Sequence, residues 1–179
     1  MRDDTFYDYR RFADDRTEGI FTSWDVKRGN HHFVIKTCSG LQEGETVLDV
    51  GCGLCHLYEL LDVKEYVGID IDPRIIKWAR KRHPDLILGV GSVYDLSIWG
   101  IYDTVYAIGL YRRLENLMGI EEMLKHTRKA LIFTIWQSKE NPVFPHPLWA
   151  VLRDERVKSV EFIGNRVIGT DIIKINLKQ

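Results

Sequence analysis

The eleven residues from Thr46 to His56, TVLDVGCGLCH, constrain the fold of this chain more than any other stretch. A short apolar strand that contains one acidic residue leads into two closely spaced glycines, and apolar residues then recur at helical spacing. Glycine suits such a turn because it accepts positive φ and has no Cβ to hold a ligand away from the backbone, while the following helix would supply unpaired N–H groups. The stretch is typical of a doubly wound α/β protein that binds a nucleotide-like ligand at this turn.

Strand and helix patterns alternate along the rest of the chain. Asp72-Pro73 predicts a helix start, since an N-cap acid followed by proline is a typical first turn, and His83-Pro84 predicts its end. The other predicted helices are one with Leu54, Leu57, Tyr58 and Leu61 on a single face, and those over Asp3 to Asp15, Asn30 to Cys38 and Ile120 to Lys125. The predicted strands are Thr46 to Val50, Tyr66 to Ile71, Leu86 to Val90, Asp103 to Ile108, Ala130 to Trp136, Val157 to Ile163 and Ile172 to Leu177.

This alternation predicts a Rossmann-like, doubly wound α/β fold with a mainly parallel seven-stranded sheet. In the last strand Lys174 and Asn176 alternate with apolar residues, and a turn with asparagine and glycine precedes it. We therefore expect an antiparallel C-terminal strand pair at the sheet edge. A chain of 179 residues is most simply one domain. We expect that domain over 1–179, with an N-terminal helical cap at 1–40 and a ligand-binding core at 45–179.

Composition limits the compartments and partners open to the chain. Its net charge is −1 and its isoelectric point about 6.6, so it has no overall positive field for nucleic acid or anionic lipid. The charged N-terminus has no apolar signal segment, and no apolar run reaches the roughly 18 residues needed to cross a bilayer. Three cysteines are an odd count that suits a reducing compartment. We expect a cytoplasmic protein without membrane or nucleic-acid partners, and the sequence leaves its oligomeric state open.

Asp70 lies at the end of the second predicted strand, 19 residues after Gly51. An acid about 20 residues beyond a glycine turn is placed to accept hydrogen bonds from ribose hydroxyls. The dinucleotide fingerprint would have a third glycine at position 56, where this chain has His56. That difference argues against a pyrophosphate packed tightly on the helix, and the residues together favour a nucleoside-type ligand.

Four segments, in the order expected for the family, resemble the class I S-adenosylmethionine-dependent methyltransferases. Asp49, Gly51 and Gly53 match the acid-x-Gly-x-Gly-x-Gly motif after the first strand, and Asp70 in GIDIDP matches the ribose-binding acid. GSVYDL resembles the family's G-D-A-x-D-L segment, which flanks the adenine, and YDTVYAIGLYRRL is similar to its fourth motif. The resemblance spans Thr46 to Trp136. It implies S-adenosyl-L-methionine as the cofactor and S-adenosyl-L-homocysteine as the product.

The resemblance also implies roles for individual residues. The expected cofactor-binding set is Asp49, Gly51, Cys52, Gly53, Asp70, Ile71, Ser92, Val93, Ala107 and Ile108. Asp49 is expected near the methionine ammonium and Asp70 at the ribose. The adenine is expected against Ile71, Ser92 and Val93, and the sulfonium side against Ala107 and Ile108. No metal site is expected.

The chain departs from the family pattern at several positions. Cys55 stands where the motif has its third glycine, Ser92 replaces the usual adenine-reading aspartate, and Arg112-Arg113 replaces a common His-His pair. The loop before the fifth strand is shortened to HTRKA. A serine hydroxyl still forms hydrogen bonds, although weaker ones than a carboxylate. We therefore expect cofactor binding to survive these changes, whereas they carry no expectation about the substrate.

The segment Cys52-Gly-Leu-Cys55 admits other interpretations. A C-x-x-C pair at a strand-to-helix turn is the setting of a thioredoxin-type dithiol, and with His56 it matches the haem-attachment string. Haem attachment requires export, and a redox fold does not explain Asp70 or the later segments. A metal site needs further ligands, and Cys38 lies in a different segment. We interpret the pair as small, partly buried residues beside the ligand, with a thiol-disulfide oxidoreductase as the less favoured alternative.

Catalytic groups do not have to come from the cofactor motifs. Methyl transfer from a sulfonium is an in-line displacement, in which the protein aligns the nucleophile, excludes water and, where needed, removes a proton. The candidates lie after the fourth strand, after the fifth strand or in the N-terminal cap, and they are Tyr9, His31 or His32, Tyr111, Arg112, Trp136 and His146. We select Tyr111 and His146 as catalytic candidates, since an imidazole titrates near ~6.5 and can act as a base.

The expected acceptor is a small molecule with an O, N or S nucleophile. After the fourth strand there is no Asn/Asp-Pro-Pro-aromatic string of the kind that holds planar nitrogens, and no Pro-Cys nucleophile of the cytosine-C5 type. The segment FYDYRRF is suited to close over the site, where Arg10 or Arg11 would meet an acidic substrate. A protein side chain or a modified nucleoside stays open as acceptor. A non-catalytic cofactor- or partner-binding subunit with the same fold is the alternative from another class.

Overall fold

The computed structural model describes residues 45–111, 118–136, 153–165 and 170–179. The strands are β1 Thr46–Val50, β2 Glu65–Asp70, β3 Ile87–Val90, β4 Tyr102–Tyr111, β5 Thr127–Trp136, β6 Val157–Asn165 and β7 Thr170–Leu177. The helices of these ranges are α1 Pro73–Arg82, α2 Met118–Lys125 and a short 3-10 helix, Tyr58–Leu60. The seven predicted strands and the helices predicted after Asp72 and over Ile120 to Lys125 are therefore confirmed, with small shifts at their ends.

The strands form one sheet in the order β3-β2-β1-β4-β5-β7-β6. The first five strands are all parallel to one another. The chain moves outward from β1 to β3 and then returns to place β4 on the other side of β1. In open α/β sheets, ligands bind beyond the carboxyl ends of the strands at such a reversal. The fold is the predicted Rossmann-like one, and it locates the crevice between β1 and β4.

The last two strands form the predicted antiparallel pair. β7 pairs antiparallel with both β5 and β6, so it lies between them and β6 forms the edge of the sheet. Ile173, Ile175 and Leu177 are buried in the core, whereas the side chains of Lys174 and Asn176 are partly exposed. The period-two alternation seen in the sequence thus matches one buried and one polar face of the hairpin.

Apolar side chains cover both faces of the parallel sheet. Along β1, Leu48 and Val50 belong to the cluster on one face, which includes Ile120 of α2. Val47 belongs to the cluster on the other face, which includes Ile76 of α1. Burial on both faces explains why the parallel strands read as nearly continuous apolar runs.

Helix α1 begins as its sequence predicts. Asp72 is the N-cap, and its side chain accepts a hydrogen bond from the Arg74 N–H at 2.9 Å. Pro73 occupies the first helical position, where a missing N–H is harmless. The helix ends at His83, whose N–H donates to the Ala79 carbonyl at 2.8 Å, directly before Pro84. Because α1 follows β2 at once, its start is fixed beside the carboxyl end of that strand.

The helix predicted directly after the glycine turn is wrong. The chain there forms successive turns and only then the 3-10 helix. Gly53 and Cys55 have φ of +56° and +62°, and left-handed backbone of this kind interrupts a right-handed helix. Leu57 is nevertheless buried, so the apolar spacing reflects packing of the turns rather than a helix face.

Some predictions concern parts of the chain outside the described residues. These are the helices over Asp3 to Asp15 and Asn30 to Cys38, the cap at 1–40, and the side chains of Tyr9, Arg10, Arg11, His31, His32, Tyr111, Arg112, Trp136 and His146. The division of 1–179 into cap and core therefore stays a prediction. None of the helices in the described ranges combines the length and the apolar character that a membrane span requires.

Candidate functional site

Two glycines shape the turn that leaves β1. Gly51 has φ of +76° and Gly53 of +56°, backbone conformations that side chains with a Cβ rarely adopt. An ideal Cβ on Gly51 would lie 3.3 Å from Leu110 Cδ1 on β4. A larger residue would therefore crowd the crevice between β1 and β4, where this fold binds its ligands.

The backbone donors of the turn are already bonded within the protein. The N–H groups of Gly51 and Cys52 both donate to the Ile69 carbonyl, at 2.8 and 2.9 Å. The Gly53 N–H donates to Oδ2 of Asp70 at 3.2 Å. The expectation of unpaired N–H groups from a following helix is wrong, because no helix follows and these three donors have partners. The turn is suited to a ligand held by packing and by side chains rather than to a phosphate.

Asp70 connects the ends of three elements. Besides accepting from Gly53, its carboxylate accepts a hydrogen bond through Oδ1 from the Asp72 N–H at 2.9 Å. The Gly91 N–H, just beyond β3, donates to the Asp70 carbonyl at 3.1 Å. The residue is buried, and each of its two carboxylate oxygens accepts one backbone hydrogen bond. This fixed, hydrogen-bonded acid has the chemistry of a ribose-binding residue.

Asp49 is a second buried acid beside the same turn. Its Oδ2 accepts a hydrogen bond from the Tyr66 hydroxyl at 2.5 Å. Burial raises the pKa of Asp49 from 3.8 to about 7; the Tyr66 hydrogen bond lowers it and the charge of Asp70 raises it further. Two buried carboxylates in one crevice repel each other, and a cationic ligand would relieve that repulsion.

The two cysteines of the turn are buried and do not have the environment of a redox pair. The Cys52 thiol packs over Gly68 of β2, where an ideal Cβ would lie 3.0 Å from Sγ. A hydrogen bond with Cys55 and burial together raise the pKa of the Cys52 thiol. Reactive dithiols have a lowered pKa, so the structure argues against the oxidoreductase alternative. Cys52 turns its side chain toward β2.

The residues predicted at the adenine come together beyond β2 and β3. Register pairs Asp70 with Val90, and Ile71 and Val90 expose 58% and 51% of their surfaces. Ser92 Oγ accepts from the Tyr94 N–H at 3.3 Å, which leaves the serine hydroxyl proton to donate elsewhere. Val93 packs against the core cluster that includes Ile120. Exposed apolar side chains beside one hydroxyl fit the flat, weakly polar face of an adenine.

Sequence reasoning missed Trp99, whose indole ring packs against β3 and the turn that follows it. An ideal Cβ on Gly89 would lie 2.0 Å from Trp99 Cη2, and one on Gly91 would lie 2.9 Å from Trp99 Nε1. The indole therefore lies directly over β3 and braces the turn that carries Ser92. Alternate glycines within a strand signal such a close approach, and the string GVG contained that signal.

The carboxyl end of β4 contains the residues predicted on the sulfonium side. Ala107 has no exposed surface, whereas Ile108 is partly exposed, so of the two only Ile108 presents surface to a ligand. Gly109 has φ of +73° and donates its N–H to Thr134 Oγ1 at 2.8 Å, where the pairing of β4 with β5 is irregular. The backbone of Tyr111 ends β4 at the same edge as Asp70.

An open groove of about 780 Å³ lies at the opposite end of the sheet. Within it, Lys129 Nζ lies 2.9 Å from a Glu45 oxygen and 3.6 Å from an oxygen of the neighbouring Asp103. The groove is far from the carboxyl ends of the parallel strands, so it does not compete with the glycine turn as a site. Among the residues the structure describes, no group of three or more His, Cys, Asp or Glu side chains is arranged to hold a metal ion.

Comparison with known proteins agrees with this geometry. Residues 48–129 match the family model of a methyltransferase domain, a span that includes the glycine turn, Asp70 and β4. No curated protein sequence matches the chain significantly.

Solved structures share the fold over most of the chain. The magnesium protoporphyrin IX methyltransferase of Synechocystis PCC 6803 with bound SAM is 18% identical, with 98% of this chain and 92% of that chain covered and a TM-score of 0.68. The N-methyltransferase NodS of Bradyrhizobium japonicum WM9 is 16% identical, covering 86% and 98%, with a TM-score of 0.66. The SAM-bound amino pentose methyltransferase CalS10 of Micromonospora echinaspora is 11% identical, covering 87% and 91%, with a TM-score of 0.64. At these identities the likeness concerns the fold.

Proposed function

We propose that this chain is a class I S-adenosylmethionine-dependent methyltransferase, which transfers the sulfonium methyl group to an O, N or S atom of a small molecule. The enzyme uses S-adenosyl-L-methionine and releases S-adenosyl-L-homocysteine. The neutral overall charge and the isoelectric point of about 6.6 support a cytoplasmic small-molecule enzyme rather than one that grips nucleic acid.

The observation that carries the proposal is the pair of buried carboxylates at the glycine turn. The cofactor supplies an electrophilic methyl on a cationic sulfonium, together with an ammonium and a ribose diol. Asp49 and Asp70 lie at the ends of neighbouring strands and favour a ligand of that charge. The bare backbone at Gly51 and the exposed Ile71 provide room and an apolar surface for the rest of the molecule.

Names of structural neighbours support a small acceptor. Two of them are named for magnesium protoporphyrin IX and for an amino pentose, both of them small molecules. The chemistry left to this chain is to align the acceptor in line with the methyl group, to exclude water and, for a protonated nucleophile, to remove a proton. We propose Tyr111, at the carboxyl end of β4, and His146 for the last task.

Calorimetry with S-adenosylmethionine tests the cofactor part. Asp70→Asn should weaken binding about 10- to 100-fold, because hydrogen bonds to a charged group contribute roughly 1.5–3 kcal/mol. Asp62→Asn is the matched control: Asp62 is an exposed acid that precedes β2, at the other end of the sheet from Asp70. Equal binding by both variants would contradict the assignment of Asp70.

The acceptor class is tested by measuring S-adenosylhomocysteine formation with panels of small acids, amines, thiols and nucleosides. We expect turnover with members of one panel, and turnover roughly 5- to 50-fold lower with the Asp70→Asn variant at cofactor concentrations near the wild-type dissociation constant. Turnover only with a protein or an RNA would overturn the small-molecule proposal while leaving the cofactor assignment intact.

A further inference from the structure

A buried hydrogen bond between neighbouring strands lies directly below the glycine turn. The Tyr66 hydroxyl on β2 donates to Oδ2 of Asp49 on β1 at 2.5 Å, and both residues are buried. One Asp49 oxygen is thereby held, which leaves Oδ1 as the oxygen that can turn toward a ligand. The side chain of Tyr66 is itself held in place, since its ring centroid lies 5.1 Å from that of Tyr58.

We propose that Tyr66 is a positioning residue, which orients the Asp49 carboxylate toward the cationic methionine part of the cofactor. The inference rests on the proposed cofactor site. A phenol fits this role because it donates a strong hydrogen bond to a carboxylate without adding a positive charge that would compete with the ammonium. Phenylalanine would fill the same volume and provide no donor.

Within the part of the chain that the structure describes, the titratable groups facing Asp49 come from the elements packed against it. Tyr66 and Asp70 face it from β2, Cys52 and Cys55 lie in the turn above it, and Tyr106 is its register partner on β4. None of these groups is cationic. Of these groups, the Tyr66 hydroxyl lowers the pKa of Asp49, whereas burial and the charge of Asp70 raise it. The pKa that results is about 7.

Cofactor affinity should therefore depend on pH. Below pH 7 Asp49 takes up a proton and no longer attracts the ammonium, so affinity falls as pH falls. For one group with a pKa of about 7, binding should weaken roughly tenfold between pH 7.5 and pH 6. An α-amino group titrates near ~7.7–8.0, so the ammonium loses part of its charge by pH 7.5, and this opposing effect on affinity is less than about twofold.

The experiment is calorimetric titration of the full chain with two probes between pH 6 and pH 7.5. S-Adenosylmethionine contains the ammonium, whereas 5′-methylthioadenosine retains the adenine, ribose and sulfur but lacks the amino-acid part. Tyr66→Phe should bind S-adenosylmethionine several-fold more weakly than wild type at pH 7, with its steepest change moved to higher pH. Its affinity for 5′-methylthioadenosine should equal that of wild type.

Two further variants keep the outcome decisive. Tyr58→Phe is the matched control. It removes the hydroxyl of the other tyrosine of the ring pair and leaves the Tyr66 hydroxyl in place as the donor to Asp49. Asp49→Asn should flatten the pH dependence for S-adenosylmethionine, and it provides the test by itself if Tyr66→Phe does not fold. A flat wild-type profile, or equal effects of Tyr66→Phe and Tyr58→Phe, overturns the inference while 5′-methylthioadenosine still binds. If neither probe binds wild type, the proposed cofactor site and the inference fall together.

Discussion

Cys52 occupies the space that Gly68 leaves by having no side chain. An ideal Cβ on Gly68 would lie 3.0 Å from the Cys52 sulfur and 3.1 Å from its Cβ. The turn that carries Gly51 and Gly53 is therefore held against β2 by packing as well as by the hydrogen bonds to Ile69. The position of the cofactor turn depends on a small residue in the neighbouring strand.

The first prediction concerns Gly68→Ala. The added methyl would meet Leu88 Cδ2 at 2.8 Å and the Cys52 sulfur at 3.0 Å. We expect a loss of about 1–3 kcal/mol in the free energy of unfolding, which is the usual effect of overpacking. Urea denaturation measures it. Leu88→Ala removes the nearest clash. The decreases in the free energy of unfolding measured for Gly68→Ala and for Leu88→Ala alone should therefore add up to more than the decrease in the double variant Gly68→Ala/Leu88→Ala. If the effects of the two single variants simply add, the predicted clash between residue 68 and Leu88 is wrong.

The second prediction concerns the two buried thiols. Cys52 and Cys55 are buried, and the pKa of the Cys52 thiol is raised. In a Cys38→Ser background, we expect a thiol reagent to react with neither at pH 7.5 until the protein is unfolded. Cys52→Ser/Cys55→Ser should lose stability and retain cofactor binding. Rapid labelling of the folded protein, or loss of all activity with the fold and cofactor binding intact, would revive the redox alternative.

The third prediction follows from the raised pKa of Asp49. Since its pKa is 3.8 when unfolded and about 7 when folded, the folded state binds the proton more tightly and ionisation disfavours folding. The free energy of unfolding therefore falls as pH rises from about 4 to 7, by on the order of 4 kcal/mol in all.

Asp49→Asn removes that ionisation and leaves an oxygen for the Tyr66 hydroxyl. The stability difference between Asp49→Asn and wild type should grow in favour of the variant by roughly 3 kcal/mol between pH 5 and pH 8. Urea denaturation at the two pH values gives this difference directly. A difference that is the same at both would show that the pKa of Asp49 is not raised.

The fourth prediction concerns the proposed bases. If Tyr111 or His146 removes a proton from the acceptor, Tyr111→Phe or His146→Gln should lower kcat about 10²- to 10⁴-fold. Calorimetry should give unchanged affinity for S-adenosylmethionine, because neither residue belongs to the cofactor set. Single-turnover rates across pH measure the effect. Full activity in both variants would mean that alignment and exclusion of water are sufficient for this acceptor.

The sequence predicted the architecture well because the relevant signals are local. Apolar runs gave the parallel strands, and Asp72-Pro73 and His83-Pro84 gave both ends of α1. The alternation around Lys174 gave the antiparallel hairpin. Each of these patterns depends on neighbours within a few residues, and burial of both sheet faces makes the apolar pattern strong.

The site was predicted less completely because its details depend on conformation and register. Cys55 stands at the third glycine position of the motif, but its left-handed backbone was not predicted, since L-residues other than glycine rarely adopt that conformation. The hydrogen bond from Tyr66 to Asp49 spans 17 residues and exists because Tyr66 and Asp49 lie on one face of two paired strands. Sequence periodicity assigns each residue to a face of its own strand, but it does not fix the register between the strands.

The position of β7 between β5 and β6 governs the order in which the sheet can assemble. β6 comes earlier in the chain, yet its only strand pairing in the described residues is with β7. During synthesis β6 therefore leaves the ribosome without a partner, and it joins the sheet only when β7 arrives and pairs with β5 on its other side. The sheet is therefore complete only after β7 has been synthesised. The glycine turn after β1 has both neighbouring strands, β2 and β4, before then.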